Sequence, residues 1–112
     1  MLVKNIAFNA EKIKDSNSTE REAFKVNTQM RNIIYFFFSK KECVYVGETS
    51  CSLYDRCFTH TPKHSEKSWF NRCDEVFIIQ FDNNFKGFER RAIEASFILA
   101  YKSAGYKIEN KY

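Results

Sequence analysis

A chain of 112 residues, with 18 Lys and Arg against 14 Asp and Glu for a net charge of +4, has room for one domain and one core. It is 44% apolar and 17% aromatic, with twelve Phe, which excludes a disordered chain. Its longest purely apolar run, "IIYFFF" (33–38), is six residues and cannot span a bilayer. The opening "MLVKNIAFNAEKIKD" has no apolar stretch of the signal-peptide kind, so no membrane and a cytoplasmic location are expected.

Residues 1–9 alternate loosely, as a short edge strand or an arm would. Ser18 or Thr19 is a good N-cap for a helix from about 19 to 30, with Glu20 and Glu22 in its first turn and Ala23, Val26 and Met30 on one stripe. Residues 32–39 and 42–46 are rich in β-branched and aromatic side chains, and "SKKE" between them reads as a hairpin turn. A short helix over 50–60 follows, then a loop over 61–72 holding the only proline, Pro62. "DEVFIIQF" (74–81) reads as a third strand buried on both faces. "FERRAIEASFILAYKSAG" (88–105) is the longest helix, with a stripe of Ile93, Phe97, Ala100 and Ala104 and a C-cap at Gly105.

The expected fold is therefore α+β. A small three-stranded antiparallel sheet is flanked by helices in the order β-β-α-β-α, with residues 1–31 as an arm and helix packed on the same domain and 32–112 as its body. Cys43, Cys51, Cys57 and Cys73 include no C-x-x-C pair. Free buried thiols are their simple reading, since a zinc site drawn from them with His60 or His64 would lack the spacing of known ribbons.

The order of residues carries more. Ile33-Ile34-Tyr35 on one strand precedes Tyr45-Val46-Gly47 on its hairpin partner. Arg56 and then His60 stand on the next helix, and Glu94 on the last, ahead of Phe97-Ile98. This succession resembles the GIY-YIG nuclease family over about residues 32–110. Ile33 stands where that family has its first glycine, and the interval from Gly47 to Arg56 is one residue longer than usual. The family's terminal asparagine has Asn110 as its nearest counterpart, where Tyr106 occupies the usual place.

The resemblance implies a metal-dependent DNA endonuclease in which Tyr35 or Tyr45 activates water, Arg56 steadies charge on phosphorus, and Glu94 holds one Mg²⁺ or Mn²⁺. The residue chemistry is compatible. A phenol is a weak base until cations depress its pKa, and a guanidinium fork matches a phosphate. His60 is expected four residues beyond Arg56 on one helix face, where it would help position the water or pass the proton. A glutamate is a hard oxygen ligand, and Gly47 lets backbone approach closely or turn. Each residue also has a plain reading: the tyrosines as core, Arg56 and His60 as surface, and Glu94 as the i+4 partner of Arg90.

The cations are spread along the chain as Arg31, Lys40 and Lys41, then Lys63, Lys67 and Arg72, then Lys86, Arg90 and Arg91, and only a shared face would make them a nucleic-acid footprint. Within "THTPKHSEKSWFNR", Trp69 with Phe70 either stacks on a base or anchors the loop in the core. Arg31, Lys63, Lys67, Trp69 and Arg72 are the expected DNA contacts, and the resemblance leaves open a stand-alone nuclease with little sequence preference, a restriction-like homodimer, or a subunit that relies on a partner protein for specificity. Two other functions fit the composition: a non-catalytic nucleic-acid-binding module of the same fold, and a protein-interaction domain with an aromatic surface.

Overall fold

The computed structural model describes residues 1–110. Four antiparallel strands, β1 (Leu2–Ala7), β2 (Ile33–Ser39), β3 (Glu42–Thr49) and β4 (Glu75–Gln80), form one sheet in the order β1-β4-β2-β3. The expected three strands are thus four. The alternating N-terminal stretch adds along β4, where its backbone groups find partners that an arm would leave to water.

Helical segments of two kinds complete the chain. The α-helices are α1 (Ala10–Lys14), α2 (Thr19–Asn27), α3 (Leu53–Phe58) and α4 (Gly87–Ser103), and two 3₁₀ turns, His64–Glu66 and Ser68–Arg72, fill what sequence reading takes as plain loop. One face of the sheet, with Ile33, Tyr35, Phe37, Val76 and Ile78, packs against α1, α2, α3 and the 3₁₀ turns. The other, with Ile34, Phe36 and Val46, packs under Ile98 of α4 and Ile108. Covered faces above and below, and a neighbouring strand on either side, explain why β2 is an almost unbroken apolar run.

Ser18 caps α2 by accepting from the Arg21 N–H, as the sequence suggests. The buried stripe is shifted, however. Phe24 and Thr28 face the core, whereas Ala23 and Val26 face solvent. Phe24 makes edge contacts with Phe8 at 5.5 Å and Phe58 at 6.2 Å, and aromatic area outweighs what Val26 would bury. Along α4 the buried residues are Arg90 and Ile98, flanked by half-buried Ile93, Phe97 and Tyr101, while Ala100 and Ala104 are exposed. Gly105 ends that helix in the left-handed region, at φ +91°.

Two features of the hairpin position the site. Its turn residues, Lys40 and Lys41, both have positive φ, the backbone of a type I′ turn. On the outer side of β3, residues 109 and 110 run alongside the strand. The Glu109 N–H donates to Val44 O at 2.7 Å, and Asn110 bonds both backbone groups of Val46, accepting from its N–H at 3.0 Å and donating to its carbonyl at 2.7 Å. A side-chain amide thus closes the free edge of β3 between Tyr45 and Gly47.

Candidate active site

The register of the hairpin sets the geometry. Tyr35 on β2 lies directly opposite Gly47 on β3, and Val44 is an extra residue where the register shifts between Phe37 and Phe38. Tyr45, two residues before Gly47, is therefore a diagonal neighbour of Tyr35 on the same face, and the rings lie 6.4 Å apart, stacked at 26°. A Cβ at position 47 would stand 2.3 Å from both Cζ and Oη of Tyr35. Gly47 has no left-handed backbone, so its role is space: the Tyr35 ring lies across the bare backbone.

Tyr35 is 1% exposed, and its Oη meets Nε2 of His64 at 2.6 Å. His64 stands on the first 3₁₀ turn, itself buried, with Tyr45 and Trp69 rings against it. Burial lowers its pKa to about 3, helped by the cationic Arg56 and Lys67, so the imidazole is neutral at physiological pH. Burial also raises the Tyr35 phenol well above its ordinary value. Nearby Tyr45 adds to this, and Arg56 opposes it. Tyr45 is half-buried, and its phenol is raised by burial and then by Glu94, again against Arg56.

A hollow of about 400 Å³ brings the pieces together: Tyr35, Tyr45 and Gly47 from the hairpin, Arg56 from α3, and Arg91 and Glu94 from α4. Arg56 is steadied by donating from Nη1 to the Pro62 carbonyl at 2.8 Å. Helix α3 is held in turn by α2, whose Arg21 guanidinium sits 3.8 Å over the Phe58 ring and bonds Tyr54 Oη at 3.0 Å.

Glu94 stands one helical turn beyond a buried anchor. Arg90 Nε donates to Glu48 Oε2 at 3.0 Å and its Nη1 to Asn32 Oδ1, tying α4 to the end of β3 and the start of β2. Glu89, the other acidic residue of that turn, bonds back to the Lys86 N–H at 2.9 Å. Among the described residues no group of three or more His, Cys, Asp or Glu is placed to hold a metal.

Several expected residues stand elsewhere. His60 does not line the hollow; helix α3 ends at Phe58, and His60 lies exposed beyond it, its backbone N–H on the Asp55 carbonyl. With Thr59 as the C-cap of α3, the Arg56–His60 helical face is not built, and Pro62 disfavours helical backbone at Thr61 beyond it. His64, which sequence reading considers only as a zinc ligand, occupies the phenol's side instead. The signal for it is Pro62, which sends the chain back over Arg56.

Trp69 is corrected as a base-stacking residue: it is 7% exposed, with one ring face on Tyr45 at 4.6 Å and 8°. Lys67 is exposed and borders a neighbouring hollow that shares Tyr45 and Arg56 with the first. Arg72, also exposed, is 3.5 Å from Glu109, and the exposed Arg31 lies 4.0 Å from Asp55 across the α3 side. Lys63 lies 3.9 Å from Glu66. Cys43, Cys57 and Cys73 are buried free thiols, and Cys51 is half-buried and free.

The family model of the GIY-YIG catalytic domain matches residues 31–107. The chain belongs to the GIY-YIG nuclease family, on a nuclease-type α+β fold. No curated protein and no solved structure gives a significant match. Among the described residues no helix is long and apolar enough to cross a membrane.

Proposed function

We propose that this chain is a metal-dependent DNA endonuclease that hydrolyses phosphodiester bonds, with Tyr35 accepting the proton of the attacking water. The observation that carries the reading is that Tyr35, which lines one hollow with Arg56 and Glu94, has its hydroxyl 2.6 Å from Nε2 of the buried His64.

Burial opposes a standing phenolate, so the useful chemistry is a relay. With its hydrogen on His64 Nε2, the Tyr35 oxygen keeps a lone pair for water. As water attacks phosphorus in line, its proton passes to Tyr35 Oη while the phenol proton passes to Nε2. His64 is a weak base in the free protein, and the negative charge of a bound phosphate raises its basicity. Tyr45, half-buried beside both, orients the water or a phosphate oxygen. The Arg56 fork, fixed by Pro62, balances the charge that grows on phosphorus.

A divalent ion suits the donor set in one form only. Glu94 would be the carboxylate ligand, with waters and phosphate oxygens completing the shell, an arrangement that Mg²⁺ or Mn²⁺ accepts. Glu48, in the same hollow, is already bonded through Oε2 to Arg90. The ion supplies Lewis-acid stabilisation of the phosphoryl and leaving oxygens when bound.

Plasmid DNA incubated with Mg²⁺ or Mn²⁺ tests the reading beside Tyr35→Phe, Arg56→Ala, His64→Ala and Glu94→Ala. The wild type nicks the plasmid and each variant loses roughly 10²–10⁴-fold. Equal nicking by all five preparations marks a contaminant and ends the proposal. Tight, salt-sensitive binding without cleavage under either ion selects the non-catalytic module instead.

A further inference from the structure

We propose a second phosphate-binding subsite, remote from the tyrosine hollow, where Lys40, Arg72 and Lys107 hold the backbone of the same nucleic-acid strand. It rests on the phosphodiesterase reading and extends it to the path the substrate takes.

Three hollows follow one another along β3, the edge strand of the sheet. The tyrosine hollow sits at Tyr45, Gly47 and Glu48. A second, of about 420 Å³, shares Tyr45 and Arg56 with it and reaches Lys67 and Asn110. The third, of about 600 Å³, lies at Glu42, Cys43 and Val44 and is walled by the hairpin turn, the end of the second 3₁₀ turn and the C-terminal segment. Each contains cations: Arg56 and Arg91 in the first, Arg56 and Lys67 in the second, Lys40, Arg72 and Lys107 in the third. Residues scattered across the sequence therefore meet on one side of the fold.

The third hollow is built toward an anion in two further respects. Lys40 is carried on the tight turn by a left-handed backbone, so its Cα is fixed although its side chain is exposed. Arg72 stands between the second and third hollows, its Nη2 3.5 Å from Glu109 Oε2. That carboxylate occupies the guanidinium as a phosphate would, and Arg72 can exchange one oxyanion for another. Cys43 to Gly47 is four strand residues, about 13 Å. This is the rise of about four phosphates along one strand of a duplex, so the third hollow grips the strand beyond the bond that is cut.

A structural alternative exists, because Ala104 and Gly105, at the C-terminus of α4, line the same hollow, and cations there stabilise a helix end. The test separates the two. Binding of a fluorescent DNA duplex is measured without divalent metal from 50 to 300 mM salt, for wild type, Lys40→Gln/Lys107→Gln, and Lys4→Gln/Lys25→Gln. The last pair removes the same charge from β1, at the far edge of the sheet, and from α2, which Asn27 links to Lys4. The groove variant is expected to lose about 2 from the slope of log K against log salt, and tenfold to a hundredfold in affinity near 0.1 M. The distant variant keeps the wild-type slope. Equal slopes for all three proteins overturn the subsite and leave the nuclease reading intact. Equal slopes with a lower melting temperature for the groove variant assign those lysines to the helix end, which also overturns it. A wild-type protein that binds no DNA at 50 mM salt overturns both.

Discussion

Replacing Gly47 with alanine tests the geometry of the site at its narrowest point. The new methyl would lie 2.3 Å from Cζ and Oη of Tyr35 and 2.6 Å from Cε2, where carbon contacts normally rest at about 3.5–4.0 Å. The ring must retreat by more than an ångström, and it has nowhere easy to go. Phe37 meets it at 5.8 Å, Tyr45 at 6.4 Å and His64 at 5.6 Å between ring centres, and the side chain is fully buried. Overpacking of this kind costs about 1–3 kcal/mol. Stretching the buried Tyr35–His64 bond adds about 1–3 kcal/mol.

A loss of about 2–6 kcal/mol is thus expected, a large part of the total for a domain of this size. Urea unfolding followed by tryptophan fluorescence measures it, since Trp69 packs face to face on Tyr45. The cycle with Tyr35→Ala isolates the cause, because the added methyl has nothing to strike once the ring is gone. Tyr35→Phe is no relief, since Cζ itself makes the clash. An unchanged midpoint for Gly47→Ala, or equal penalties in the presence and absence of the Tyr35 ring, refutes the close-approach argument.

Three further outcomes follow from the same contacts. His64 is neutral in the fold down to about pH 3 but protonates near 6.5 when unfolded, so its contribution is complete above about pH 6.5 and is lost as pH falls toward 3. Between pH 7 and 5.5 this removes about 1 kcal/mol, read from urea midpoints, and His64→Gln flattens the dependence there; Glu75, lowered by Asn5 and Lys41, acts only below that window. Asn110→Ala strips Val46 of both backbone partners and costs about 1–3 kcal/mol, with faster hydrogen exchange at the Val46 amide. Arg90→Met leaves the Glu48 carboxylate and the Asn32 amide oxygen without their guanidinium, for a loss of about 3 kcal/mol by chemical denaturation, and a smaller change disproves a structural anchor at α4.

Much of the fold was legible because it depends on local chemistry. The hairpin, the cap at Ser18, the last strand and the glycine-capped long helix all follow from short-range preferences that the structure keeps. What escaped depends on contacts distant in sequence. Residues 1–9 read as an edge strand or an arm, and the choice falls to the strand because β4 offers a free edge about seventy residues later. Val26 and Phe24 compete for one core position, and periodicity cannot decide which ring partners will be present. Arg90 reads as a surface cation by composition, yet its partners, Glu48 and Asn32, arrive from strands forty and more residues upstream. For the site, Tyr35, Tyr45, Gly47, Arg56 and Glu94 line one hollow that their order in the chain suggested.

The histidine shows why order is informative and spacing less so. A phenol that is to pass a proton needs a ring nitrogen at hydrogen-bond distance, and the chain can deliver that nitrogen from any segment whose backbone passes nearby. An unbroken α3 would deliver His60, four residues past Arg56. Here α3 ends at Phe58, the loop through Pro62 turns back so that its carbonyl holds Arg56, and the following 3₁₀ turn brings His64 against both Tyr45 and Trp69. One event, the chain reversal at Pro62, thus removes one imidazole, supplies another and fixes the guanidinium. A variant that rebuilds the helix through residue 60 would consequently lose His64 and the Arg56 tether together. Rate losses from Pro62→Ala and His64→Ala that multiply independently, rather than overlapping, would show that the two contacts are not coupled.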